Sequence, residues 1–140
     1  MRFNVLLIAV FAIALFVPHS VTAADAPRAP ERVQDADATV TVYYFHGARR
    51  CKTCLSIERI ARGVVRDKYG DDTRVRFRSV DIEKEKNEKL AARYEVAGSA
   101  LMVCRGEKKK DLTTQAFQYA LGNPSKLQKK LIAAIDRQLK

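Results

Sequence analysis

The sequence lacks a hydrophobic run long enough to span a membrane. Its main apolar run, Val5 to Val17, contains 13 residues, whereas a spanning helix needs about 18 or more. The run follows a positive residue, Arg2, and precedes a break and a stretch of small residues. These three parts are typical of a secretory signal peptide, so residues 1–23 are predicted to be one. We expect cleavage after Ala23 or close to it, and an uncleaved membrane anchor is the alternative.

Cysteine is also absent from the segment that follows the apolar run, so the sequence gives no support for lipid anchoring. Residues 24–38 contain two prolines, mixed charges and no periodic apolar face. Such a stretch cannot bury enough surface to offset chain entropy, and we predict a flexible linker. Residues 39–140 then form one folded domain of ordinary size. The expected location is outside the cytoplasm, either periplasmic or extracellular.

Negative charge is in the minority. The chain has 26 Lys and Arg against 16 Asp and Glu, a net charge of +10. A basic chain favours anionic partners such as nucleic acid or membrane surfaces. Most of the cations, however, occupy positions typical of solvent-exposed faces, and no aromatic-rich basic motif is present. We therefore expect a monomer that binds no nucleic acid and meets a membrane only through an uncleaved signal segment.

The apolar pattern predicts strands and helices in the order β-α-β-α-β-β-α. The predicted strands cover residues 39–46, 74–82, 100–104 and part of 111–119. The predicted helices begin at Cys51, near Lys86 and at Asn123–Pro124. Strands of β-branched and aromatic residues alternating with helical periodicity predict a three-layer α/β fold with a mixed four-stranded sheet. The crossover rule predicts that the first three strands are parallel, with the fourth antiparallel after a turn at Gly106.

Two cysteines separated by two residues, Cys51 and Cys54, stand at the start of the first predicted helix. Unpaired backbone N–H groups and the positive end of the helix dipole stabilise a thiolate there. Arg49, Arg50 and Lys52 add positive charge nearby. Cys51 is therefore the candidate nucleophile, and Cys54, one turn further into the helix, is the candidate resolving thiol. An exported location permits a disulfide between them.

Other roles for the pair stay open. It could be a structural disulfide, although so short a loop constrains the unfolded chain little. It could bind Cu(I) through two thiolates, with help from His46, because soft thiolates select that ion. It could also be vestigial in an accessory subunit. A zinc site with Cys104 is disfavoured, since that residue lies about 13 Å along its strand from the position beside the pair; Cys104 is predicted to be a core residue. His46 either stabilises the thiolate or hydrogen bonds to a loop carbonyl.

Residues 39–140 resemble the thioredoxin-like superfamily. The resemblance is carried by the strand TVTVYYFH running into Cys51-Lys52-Thr53-Cys54, by VDIEKEKNEKLAARYEVAG and by LMVCRG. Within that superfamily, YYFHGARRCKTCLSIE is similar to small exported proteins of the nitrophenyl compound nitroreductase subunit ArsF family. The resemblance implies a thioredoxin-like fold and exchange with the thiols or disulfides of partner proteins. It implies no organic cofactor, since nothing resembles a flavin or nicotinamide site, and nitroreductase activity is not carried over.

The chain departs from the superfamily pattern at two positions. Thioredoxins have a cis-proline before the third strand, where this chain has Ala100. A non-proline cis bond costs about 3–4 kcal/mol, so we expect a trans bond and an altered docking groove. Thioredoxins also have a buried acid six residues before the first cysteine, a position that Phe45 occupies here. Proton handling for the second thiol is therefore expected to come from another group or from water.

Overall fold

The computed structural model describes residues 39–140. The strands are β1 (Val40–His46), β2 (Val75–Asp81), β3 (Ala100–Arg105) and β4 (Lys108–Asp111). The helices are α1 (Lys52–Tyr69), α2 (Glu88–Arg93, after a 3-10 turn at Glu85–Asn87), α3 (Thr113–Tyr119) and α4 (Pro124–Leu139). None of these helices is long and apolar enough to cross a membrane. The predicted signal peptide, 1–23, and linker, 24–38, lie outside the described residues.

The four strands form one mixed sheet in the order β2-β1-β3-β4, so the predicted fold class, α/β with a mixed four-stranded sheet, is confirmed. β1 and β2 are parallel. β3 runs antiparallel to β1, with Ala100 opposite Phe45, so the prediction that the first three strands are parallel was wrong. The reason is length: a six-residue α2 is about 9 Å long. By itself it does not return the chain along the seven residues of β2, about 23 Å, and β3 starts at the edge where β2 ends.

The fourth strand was predicted too late in the chain. β4 ends at Asp111, and residues 113–119 form helix α3, where part of a strand was expected. Leu112, Ala116 and Ala120 are buried at a spacing of four residues, which is a helical period. The N–H of Thr113 donates to the carboxylate of Asp111 at 2.7 Å, which satisfies one of the free N–H groups at the helix start. These three apolar residues were too few to distinguish a helix from a continuation of the adjacent predicted strand.

The sheet carries helices on both faces, as predicted. Val42 and Tyr44 of β1 belong to the cluster packed against α1, α3 and α4. Tyr43 and Phe45 alternate with them and belong to a second cluster that includes Tyr94, at the end of α2. β1 is therefore buried on both faces, and its pleat decides which side chains meet the start of α1.

The last helix starts where the sequence indicates. The side-chain oxygen of Asn123 accepts the N–H of Lys126 at 3.1 Å, and Pro124 is the first helical residue. The turn between β3 and β4 also lies at the predicted residue, Gly106, whose φ of 56° is a left-handed conformation that glycine adopts without strain.

Candidate functional site

The cysteine pair lies at the start of α1, at the end of the sheet where β1 finishes. Cys51 is the N-cap residue, and its sulfur accepts the N–H of Cys54 at 3.2 Å. Cys51 is exposed, Cys54 is buried, and both are free thiols. Lys52, which follows Cys51 in the sequence, is exposed on the first turn of the helix. This arrangement gives one thiol that a partner can reach and a second thiol that is buried beside it.

Hydrogen bonding lowers the pKa of the Cys51 thiol below its ordinary value. The largest cause is the side chain of Cys54, followed by the backbone N–H groups of Cys54 and Thr53. The positive end of a helix acts through such N–H groups. The predicted cations Arg49 and Lys52 are both exposed and are not among the main causes. The thiolate is therefore stabilised first by the Cys54 side chain and then by the backbone N–H groups of the helix start.

Tyr44 is a site residue that the sequence did not reveal, because its position in a strand predicted to be buried indicated a core role. Its side chain is fully buried, and its hydroxyl has no hydrogen-bond partner in residues 39–140. Burial, and then the neighbouring side chain of Cys54, raise the pKa of Tyr44 far above its ordinary value. The hydroxyl therefore stays protonated beside the buried thiol. The alternation of side chains along the strand could have identified this role, because Tyr44 shares the face of Val42, which packs toward α1.

Phe45, the position aligned with the buried acid of thioredoxins, does not face the cysteines' side of the sheet. It stacks on Tyr43 with ring centroids 5.4 Å apart and lies 6.2 Å from the ring of Tyr94. These contacts place it in the second cluster. The β1 residue beside Cys54 is Tyr44, one position earlier, because successive side chains of a strand point to opposite faces of the sheet.

His46 is buried at the end of β1, and both of its ring nitrogens have partners. Nδ1 lies 2.9 Å from the carbonyl oxygen of Gly47, and Nε2 lies 2.9 Å from Oγ of Ser79. A carbonyl only accepts, so Nδ1 carries a proton and donates it to Gly47, while Nε2 forms the second hydrogen bond with the hydroxyl of Ser79. No hydrogen bond between His46 and either thiol occurs in the described part of the chain. The contacts favour the hydrogen-bonded, strand-end role over proton transfer.

Arg50 pairs with Glu58 and lies over the Tyr44 ring. The guanidinium forms an ion pair with Glu58 and lies 5.7 Å from the centroid of the Tyr44 ring. Arg62 donates to the same carboxylate at 2.7 Å. Burial raises the pKa of Glu58, but hydrogen bonds from Arg50, Arg62 and Ser79 outweigh it and lower the pKa to about 2. Arg50 therefore covers Tyr44 as part of an ion-pair cluster, a role that the sequence did not predict for either partner.

The loop between β1 and α1 is fixed by Glu83. Its carboxylate accepts the N–H of Ala48 at 3.0 Å. A Cβ on Gly47 would lie 2.6 Å from the same oxygen, so a side chain there would have to displace the Glu83 carboxylate. Glu83 thus helps to position the loop that leads to Cys51.

Ala100 begins β3 opposite Phe45, and it is buried with the second cluster. No cis peptide bond occurs among residues 39–140, so the expected trans bond before Ala100 is confirmed.

Cys104 is separated from the pair by the sheet. It is 2% exposed and belongs to the second cluster, whereas Cys54 belongs to the first. Burial raises the pKa of the Cys104 thiol to about 11. In the described residues, no group of three or more His, Cys, Asp or Glu side chains could hold a metal ion. A Cu(I) ion would have only Cys51 and Cys54 as close ligands.

No known family model matches the chain, and no curated protein matches it. Among solved structures, the chain is similar to one described as "Structure of a malarial protein", at 24% identity and a TM-score of 0.47. The match covers 73% of this chain and 99% of that chain. A likeness at this level carries no argument about activity, so the functional reasoning depends on the geometry of the site.

Proposed function

We propose that this chain is an exported, thioredoxin-like thiol–disulfide oxidoreductase. The observation that carries the proposal is the pairing of an exposed, thiolate-stabilised Cys51 with a buried Cys54 one helical turn away. Nucleophilic cysteines are those whose thiolate is both stabilised and accessible. The strand order, with the pair directly after the central parallel strand β1, supports the thioredoxin-like assignment. The N-terminal sequence supports export.

The reaction transfers two electrons between the pair and a partner disulfide. The Cys51 thiolate attacks one sulfur of the partner, that S–S bond breaks, and the partner's second sulfur leaves as a thiolate. Cys54 then loses its proton to water and attacks the Cys51 sulfur of the mixed disulfide. The Cys51–Cys54 disulfide forms, and the partner leaves as a dithiol. The reverse sequence would oxidise a partner dithiol.

Tyr44 supports the second step by donating a hydrogen bond. Its raised pKa means that it cannot accept the proton of Cys54. A protonated hydroxyl can instead stabilise the Cys54 sulfur as negative charge develops on it. The ion pair of Arg50 with Glu58 holds a cation over the same ring. Tyr44 is therefore a positioning residue, whose effect is confined to the resolving thiol.

The test is trapping and redox equilibration of the full chain after any processing. Cys54→Ser should accumulate a mixed disulfide with glutathione, and Cys51→Ser should not. Equilibration of the wild type with a glutathione buffer should give a potential well above about −300 mV, the range of structural disulfides. A lower potential would identify a structural disulfide. Tight Cu(I) binding that Cys54→Ser abolishes, without any disulfide exchange, would identify the metal-binding alternative.

A further inference from the structure

The exposed large hydrophobic side chains of the described residues lie on two neighbouring helices. They are Leu55 at 50%, Phe117 at 41% and Leu121 at 52% exposure. Leu55 belongs to the first turns of α1, and the other two belong to α3 and the turn that follows it. Scattered single apolar residues need no explanation, but a local group of them indicates an interaction surface.

A hydrogen bond joins the two helices at this point. Oγ of Ser56 donates to the carbonyl oxygen of Ala120 at 3.1 Å. Leu55 and Leu121 are the chain neighbours of these two residues, so their Cα atoms are at most about 12 Å apart by covalent geometry. Leu55 and Leu121 therefore lie close together where α1 meets the end of α3.

Phe117 extends the same surface. It precedes Leu121 by four residues, and the N–H of Ala120 still donates to the carbonyl of Ala116 at 2.9 Å, so the helical path continues beyond α3. Residues four apart on a helix share a face. We call the surface formed by Leu55, Phe117 and Leu121 the apolar shelf.

The apolar shelf adjoins the reactive thiol. The N–H of Leu55 donates to the carbonyl of Cys51 at 3.0 Å, so the two residues are one helical turn apart. A partner whose disulfide reaches Cys51 is therefore within reach of this surface. Arg49 and Lys52 lie within two residues of Cys51 in the sequence. Both are exposed, and neither forms an ion pair within residues 39–140.

We propose that the apolar shelf docks an extended polypeptide segment of the partner that has apolar side chains beside its half-cystine and an acidic residue nearby. The proposal rests on the proposed function, since the segment is the disulfide-bearing substrate. The apolar side chains would cover Leu55, Phe117 and Leu121, and the acid would meet the unpaired cations. The shelf would also supply a docking surface at a site whose β3 lacks the proline that docks substrates in thioredoxins.

The probes are two short peptides, each joined through its cysteine to thionitrobenzoate. Both carry one glutamate, and one has leucine and phenylalanine beside the cysteine where the other has serine and glutamine. Release of thionitrobenzoate and of peptide thiol reports the two steps. The wild type should use the apolar peptide about tenfold more efficiently, in kcat/KM, than the polar one. In Leu55→Gln/Leu121→Gln the ratio should fall toward one.

The matched control is Leu55→Met/Leu121→Met, which keeps the surface apolar and should keep the ratio. Unfolding midpoints of both variants, measured in urea, report whether the fold is intact. If the wild type exchanges with glutathione disulfide but uses both peptides equally, the docking proposal is wrong and the proposed function stands. An unchanged ratio in the glutamine variant would also overturn it. If the wild type exchanges with no disulfide, both proposals fail.

Discussion

Replacing Glu58 by glutamine should destabilise the protein in a way that depends on pH. Glu58 is the shared partner of Arg50 and Arg62, and its side chain is only 16% exposed. Its pKa is about 2 in the folded protein against a reference value of 4.5. A shift of one unit corresponds to 1.36 kcal/mol, which gives an upper bound of ~3 kcal/mol. Because Arg62 is 57% exposed, solvent screening reduces the expected contribution to ~1–2 kcal/mol.

The sign of the pH dependence follows from the lowered pKa. The ionised carboxylate stabilises the folded state at every pH above about 4.5, the unfolded value. Between that pH and about 2, the unfolded state takes up the proton first, and the stabilisation is lost. The wild type should therefore lose ~1–2 kcal/mol as the pH falls through this window, through Glu58 alone. Glu58→Gln should lack that part of the slope.

The measurement is urea unfolding of the wild type and Glu58→Gln at several pH values from 7 to 3. The gap in unfolding free energy should be largest at pH 7 and should narrow toward pH 3. Asp67→Asn is the control, because Asp67 pairs with Arg66 at 2.6 Å on an exposed surface and should change stability far less. A gap that stays constant across the range would show that Glu58 contributes through packing alone, and the electrostatic reasoning would be wrong.

Three further predictions concern the thiols and the core. The alkylation rate of Cys51 with iodoacetamide, measured against pH, should reach half its maximum at a pH below ~8.5, the pKa of a free cysteine. This midpoint should rise in Cys54→Ala, because the Cys54 side chain is the main cause of the lowered pKa. An unchanged midpoint would contradict this reasoning. Tyr44→Phe should leave the urea unfolding free energy unchanged or raise it by up to ~1 kcal/mol, because the buried hydroxyl has no nitrogen or oxygen partner. The same variant should slow resolution of the glutathione mixed disulfide, and equal rates would remove Tyr44 from the site. Tyr69→Phe should lower the unfolding free energy by ~1 kcal/mol, because the Tyr69 hydroxyl donates to Asp136 at 2.6 Å; no loss in urea titration would refute that estimate.

Local sequence signals predicted the elements that local physics decides. The continuous β-branched and aromatic run of β1, the 3.6-residue period of α1 and the Asn123–Pro124 start of α4 were all found where they were expected. The direction of β3 was not predictable in the same way. It depends on how far the short α2 can carry the chain, which is a property of the whole connection. Helix α3 was missed because the apolar residues that mark it, Leu112, Ala116 and Ala120, directly follow strand β4.

The same distinction between local and long-range features applies to the candidate site. The spacing of Cys51 and Cys54 placed them correctly at a helix start, because a helix N-terminus is a local feature. Tyr44 comes from β1, and only the packing of α1 on β1 brings it to Cys54. For the same reason, Arg50 was expected beside the thiolate and instead pairs with Glu58.

The presence of Tyr44 beside the resolving thiol limits what the site can favour. A buried carboxylate can accept a proton from the resolving thiol, whereas a tyrosine with a raised pKa can only donate a hydrogen bond. Donation favours the states in which a sulfur carries negative charge, and the hydrogen bonds to Cys51 act in the same direction. Stabilising thiolate stabilises the reduced pair relative to the disulfide, which raises the reduction potential. Under the proposed function, we therefore expect the Cys51–Cys54 disulfide to oxidise partner thiols more readily than the dithiol reduces partner disulfides.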